Sequence, residues 1–276
     1  MNYKYRFDHA RDAMDYKISA DMIMEDFRRF PNKISKEEVV DFLKKVMVNL
    51  DAMAEHEKIF NIAKQAYRYG LPEATLFALN FEKVATMQDY KGYNLAMYSI
   101  ITANKFELPL DDATKSIIYN QITDPKTSTQ QDNEGKNIAM HLTYNKNHEI
   151  MLLMALEDEN VCLQQNKDGN NLAMILAYRN KNSFNYKFAF SEAIKNPQTL
   201  LQKNNLGKNV ATIVATTYET PNKKLFDKLC KIDGVKQQVI EYKESIKNSI
   251  KDIHKAELNK LENILNDKTY EDELQQ

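Results

Sequence analysis

An all-α fold built from repeated helical units is predicted by three features of this sequence. Glycine and proline number only six each in 276 residues, and runs that alternate apolar with polar residues are few, which argues against a chain of strands and hairpins. Apolar residues recur instead at helical spacing, as in Val39, Phe42, Leu43, Val46, Met47 and Leu50. Finally, one phrase is written four times: MQDYKGYNLAM ending at Met97, QQDNEGKNIAM at Met140, QQNKDGNNLAM at Met174 and QKNNLGKNVAT at Thr212.

Each copy carries a glycine two residues before an asparagine: Gly92 and Asn94, Gly135 and Asn137, Gly169 and Asn171, Gly207 and Asn209. A scarce glycine at a fixed place marks a turn that needs positive φ, which costs other residues a steric penalty. The asparagine is placed to cap the helix that follows. Ala96, Ala139, Ala173 and Ala211 let that helix approach its neighbours closely. The glycines lie 43, 34 and 38 residues apart, a period that marks a solenoid of small supersecondary units. Each unit reads as turn, short helix, tight connection, longer helix and extended return. Ile150, Leu152, Leu153 and Leu156 form the apolar face of one second helix.

The phrase resembles the ankyrin repeat, which opens with Asp or Asn, has Gly three residues later and continues Thr-Pro-Leu-His before a second helix. Asp89, Asp132, Asn166 and Asn204 open the copies here, with the glycine at the family's spacing. The departures are consistent: Asn replaces Thr, Leu/Ile/Val replaces Pro, Ala replaces Leu, and Met or Thr replaces His. A fifth unit without the turn glycine precedes these, since 61–89 tracks 137–166 and Asn61 stands where Asn94 would. The resemblance covers about residues 58–232, some five units. It implies binding of a partner protein through turn tips and the concave face of the first helices. Carried onto this chain, the surface comprises Tyr90, Lys91, Tyr93, Asn133, Glu134, Lys136, Lys167, Asp168, Asn170, Leu206 and Lys208 at the tips. Tyr98, His141, Tyr144, Ile175, Tyr178 and Arg179 follow on the first helices. Tyr and Arg are enriched at interface hot spots, although tyrosines at these places also pack between helices.

Two units carry insertions, 94–136 and 171–208. In the first, Pro125 and a Ser/Thr run read as an exposed loop; the second adds an aromatic-rich stretch, NKNSFNYKFAF. Residues 1–57 read as an N-terminal helical cap, in which Phe27, Phe30 and Pro31 end one helix and Ser35 to Glu38 (SKEE) starts the next as a capping box. Residues 233–276 form a C-terminal region. Val235, Val239, Tyr242, Ile246, Ile250, Ile253, Leu258, Leu261 and Leu265 mark one long amphipathic helix or a helical hairpin, followed by an acidic tail. This region packs on the last repeat or dimerises; a monomer is the first expectation.

A formal net charge of −1 gives no basic field for nucleic acid, and no run of 18 apolar residues exists to span a membrane. The N-terminus lacks the apolar core of a secretory signal, and two distant cysteines point to a reducing compartment. No catalytic, cofactor or metal motif is present. Cys162 reads as a structural thiol, and its pairing with His141 lacks an orienting third group; His148 reads as a helix-capping residue. Neither a catalytic residue, nor a cofactor, nor a metal is expected. Eukaryote-style repeats with Lys/Asn-rich composition and an acidic tail are similar to effectors of intracellular bacteria. That similarity implies a cytoplasmic protein, or one that reaches a host cytosol without a cleavable signal and acts on a host protein. The competing reading is an enzyme with a cryptic site in the N-terminal helices or insertions.

Overall fold

The computed structural model describes residue 8 and residues 12–106, 111–144, 148–179, 187–217, 222–247 and 252–266. Regular structure among the described residues is helical, with no strand. The chain divides into two compact units, Met1–Asn133 and Glu134–Gln276.

In the first unit, α1 (Ala13–Arg29) starts where the Asp12 carboxylate accepts from the N–H groups of Met14 and Asp15, at 2.8 and 3.0 Å. Helix α2 (Lys36–Ala52) starts at Ser35, whose Oγ accepts from Glu38 N–H at 3.1 Å; this is the serine half of the expected capping box. The stripe from Val39 to Leu50 is buried as its spacing requires. It shares one core with Ile23 and Met24 of α1, Ile59 and Ile62 of α3 (His56–Arg68), and Leu71 and Ala74 at α4 (Pro72–Ala78). Each fully buried Leu or Ile contributes about 1.5–3 kcal/mol through removal from water. Asn61 does not cap: it is exposed in the interior of α3, which begins five residues earlier. The stretch 61–89 is helical in most of its length, but no helix starts at Asn61.

Helix α5 (Glu82–Ala85) leads to the first phrase, and α6 (Leu95–Phe106) and α7 (Asp112–Thr123) follow it. These last two have 12 residues each, whereas α9 (Ile138–Leu142) and α10 (Glu149–Ala155) of the second unit have 5 and 7. The insertion in 94–136 thus lengthens helices, and Pro125 does not open a loop. Asp124 accepts from Lys126 N–H at 2.9 Å and Pro125 takes the first position of α8 (Pro125–Ser128), where its missing N–H costs nothing. Thr127 and Ser128 are buried, and Thr127 Oγ1 donates to the Gln121 carbonyl at 2.7 Å.

The second unit repeats this device. After α10 comes α11 (Glu159–Leu163), and after α12 (Leu172–Arg179) and α13 (Lys187–Ala193) comes α14 (Pro197–Leu201). Asp158 and Asn196 cap the short helices, and Thr199 Oγ1 donates to the Ala193 carbonyl at 3.0 Å. Cys162 takes the same role, its Sγ 3.5 Å from the Leu156 carbonyl. Each return is therefore a one-turn helix before it becomes extended at Gln164 and Gln202. Ile150 is 74% exposed, so it lies off the core face formed by Leu152 and Ala155. The part of the second insertion at 180–186, together with the tail from 267, lies outside the described residues.

Helices α15 (Val210–Thr217) and α16 (Lys223–Cys230) complete the last repeat, and the C-terminal region is a hairpin of α17 (Val235–Ile246) and α18 (Asp252–Asn266). Val235, Val239, Tyr242, Ile246 and Leu261 face inward, but Ile253, in the first turn of the second helix, is 65% exposed; Ile250 lies outside the described residues. Both helices pack on α15. No helix among the described residues is long and apolar enough to cross a membrane.

Candidate interaction surface

The tips are built by one side chain. Asp89 Oδ1 accepts from Lys91 N–H at 2.9 Å and from Tyr93 N–H at 3.0 Å. Asn166 does the same for Asp168 and Asn170, and Asn204 for Leu206 and Lys208. Backbone bonds close each loop, as in Gly92 N–H to the Asp89 carbonyl at 2.8 Å and Asp89 N–H to the Tyr93 carbonyl at 3.0 Å. The glycine that ends each turn has φ between +73° and +79°, so the sequence reading of its conformation holds.

Neighbouring tips are fastened to one another. In the first unit Asn133 N–H donates to the Lys91 carbonyl and its Nδ2 to the Tyr90 carbonyl, both at 2.9 Å. In the second, Lys167 N–H donates to the Glu134 carbonyl, and Asn205 joins the carbonyls of Asp168 and Lys167. Gln88 and Gln165 bridge further: each Nε2 reaches the turn glycine's carbonyl and a backbone carbonyl just before the next tip.

Behind the tips lies a buried latch. Asn94, Asn137, Asn171 and Asn209 are fully or almost fully buried. Each Oδ1 accepts from the N–H three residues on at 2.8–2.9 Å. Each Nδ2 donates to a glutamine Oε1, of Gln130, Gln164, Gln202 and Gln238 respectively, at 2.7–3.0 Å. The glutamine amide then reaches back to the preceding return, as Gln202 Nε2 does to the Leu163 carbonyl at 2.7 Å. Sequence reading identified the asparagines as caps and missed the glutamines. Three of these stand two residues before the turn's opening residue, which was the available signal; Gln238 lies outside the phrase. Asn171→Ala strands Met174 N–H, the Thr199 carbonyl and Gln202 Oε1, and unmet buried groups cost about 1–3 kcal/mol each when water cannot enter. A loss of about 3 kcal/mol in urea unfolding is expected; a loss below about 1 kcal/mol would show that the latch is not a structural joint.

The residues assigned to binding separate into two groups. Tyr90 is 83% and Leu206 68% exposed; Lys91 is also exposed in the first unit, and Asp168, Glu134 and Lys167 in the second, the last two paired at 3.5 Å. The others are engaged. Asn133 ties tips together, and Asn170 Oδ1 accepts from Asn204 Nδ2 at 2.9 Å. Lys208 is only 7% exposed and pairs with Glu257 at 2.6 Å; Glu257 also accepts from Tyr242 Oη at 2.6 Å. Lys208 therefore fixes the C-terminal hairpin and does not line a free tip. Tyr93 is half-buried, and its carbonyl closes the first turn.

On the first helices, Tyr98 is half-buried under the Lys64 ammonium, 4.8 Å from the ring centroid. Lys64 in turn pairs with Asp89. Burial raises the Asp89 pKa, but Lys64 and the N–H groups of Tyr93 and Lys91 outweigh it, so the carboxyl sits below its usual range. Burial pushes the half-buried Tyr178 hydroxyl up, against a bond from Asn204 Nδ2. His141 is buried, and Ile175 is partly so. Tyr144 is half exposed and carries the Arg179 guanidinium 3.8 Å from its ring centroid, with the Lys136 ammonium at 5.5 Å.

Burial pushes the Cys162 thiol up to about 11, leaving almost no thiolate at neutral pH to act as a nucleophile. A surface depression of about 410 Å³ in the first unit is lined by Phe27, Arg28, Pro31, Arg68, Tyr69 and Phe106, with no carboxylate, imidazole or thiol in its wall among the described residues. No protein-family model, curated protein or solved structure matches this chain.

Proposed function

We propose that this chain is an ankyrin-like helical repeat protein, capped by helices at both ends, that binds a partner protein through its turn tips and first-helix face. One observation carries the reading: the letters shared by the four phrases are consumed in making and joining turns, while Tyr90, Lys91, Glu134, Lys167, Asp168 and Leu206, which differ between copies, stand exposed. A scaffold that repeats its interior and varies its tips is organised for recognition. The inward packing of Val239, Tyr242 and Leu261 leaves the C-terminal hairpin occupied, which supports a monomer. The Lys/Asn-rich composition supports an effector-like protein whose partner is a host protein.

The test combines Tyr90→Ala, Tyr144→Ala and Leu206→Ala, all at exposed side chains, so the variant should keep the wild-type circular dichroism spectrum and urea midpoint. Wild-type protein fixed to resin should retain a host protein, identified by mass spectrometry, that the triple variant loses. Equal retention by both would reject the surface.

A further inference from the structure

Arg179 differs from Arg28 and Arg29. Arg28 and Arg29 spend their guanidinium groups on Glu25. Arg179 lies stacked on the Tyr144 ring, and its Nη1 donates to the Thr143 carbonyl at 2.9 Å. Thr143 is the residue that closes α9 and is buried, so the bond satisfies a backbone carbonyl at the C-terminal end of that helix. The Arg179 side chain has no carboxylate partner among the described residues. The adjoining stretches of chain, 145–147 (NKN) and 180–186 (NKNSFNY), contain no acid that could supply one.

The stack and the single carbonyl bond hold the plane of the guanidinium and leave the rest of its donors without a partner among the described residues. A planar cation fixed in this way matches the two oxygens of a carboxylate, and its side-chain entropy is already lost. The Lys136 ammonium near the same ring adds positive charge. A polyanion such as nucleic acid fits less well, because the chain is net negative and the exposed Glu134 and Asp168 belong to the same set of tips.

We infer that Arg179, held on Tyr144, is the anchor for an Asp or Glu carboxylate in an acidic segment of the partner protein. This rests on the reading of the first-helix face as an interaction surface. The probe is a short fluorescein-labelled peptide alternating Glu and Ser, with a Lys–Ser peptide and oligo-dT of equal length as comparators. Full-length protein should bind the Glu–Ser peptide saturably and neither comparator as tightly. Arg179→Gln should weaken binding at least about tenfold. Arg179→Lys, which keeps the charge but loses the fork and the stack, should lose most of that affinity, and Arg28→Gln should change nothing. In case the variants lose stability, the Arg179 Nε–H resonance of wild-type protein provides a second measurement and should shift saturably with the Glu–Ser peptide. Unchanged affinity in Arg179→Gln, an unmoved Nε–H resonance, or equal binding of oligo-dT would overturn the assignment. If Arg179→Gln still retains the host protein while the Tyr90, Tyr144 and Leu206 variant does not, the anchor is wrong and the surface stands.

Discussion

Gly169→Ala should destabilise the protein by about 3–5 kcal/mol, and Gly207→Ala by about 1–2 kcal/mol. Both glycines have φ near +77°, so an added methyl meets the same backbone penalty at each. The difference lies in what stands opposite. A Cβ at Gly169 would lie 2.7 Å from Asn205 N and 2.9 Å from Asn204 Cα, backbone atoms of the next tip. To relieve that overlap the tips must part, and the Asn205 N–H bond to the Asp168 carbonyl goes with them. At Gly207 no further tip follows; the nearest atom is Tyr242 Cδ2 at 3.8 Å, an ordinary contact. Urea unfolding of the two variants separates the contributions. Equal losses would show that φ alone dictates glycine at these positions and that close approach of the tips contributes nothing.

That comparison marks how far the sequence could be read. A positive φ is a local property, and the placement of each glycine before a capping asparagine disclosed it. Close approach to the next tip depends on two segments some 35 residues apart in the chain, and no local pattern reports such a distance. The same division explains Asn171, legible as a cap because its target is three residues on, while its bond to Gln202 was not. Pro125 reads as part of a loop because proline ends a helix and also starts one; Asp124 before it is the deciding letter, as Asn196 is before Pro197. Among candidate surface residues, exposed tips such as Tyr90 were legible from their place in the turn. Lys208 was not, because its partner Glu257 comes from the hairpin beyond the repeats.

The second large effect concerns acid. The chain should lose about 2 kcal/mol of stability through His148 alone between pH 7 and pH 5, and about 3 kcal/mol by pH 4 and below. His148 precedes α10 without making a side-chain cap bond, which corrects the expectation of a capping role. It is 1% exposed, and neither ring nitrogen has a hydrogen-bond partner among the described residues. Burial without a partner disfavours the imidazolium and holds the pKa down to about 4, against an ordinary value of 6.5. A histidine depressed in the fold contributes its full stability above pH 6.5, where it is neutral in both states. The contribution falls as pH drops from 6.5 towards 4, because the unfolded chain takes up the proton first. His148→Phe, which keeps a ring and removes the titration, should flatten this part of the profile. The measurement is the difference in urea-unfolding free energy between wild type and variant at pH 7 and at pH 5, which cancels the other titrating groups. A change in that difference below about 0.5 kcal/mol would mean that the imidazolium finds a counter-charge. The nearest candidate in sequence is Glu149, whose Oε1 is buried and also has no partner among the described residues. Glu149→Gln would then restore the acid sensitivity, and the cost at His148 would be assigned to a switchable pair rather than to a neutral core residue.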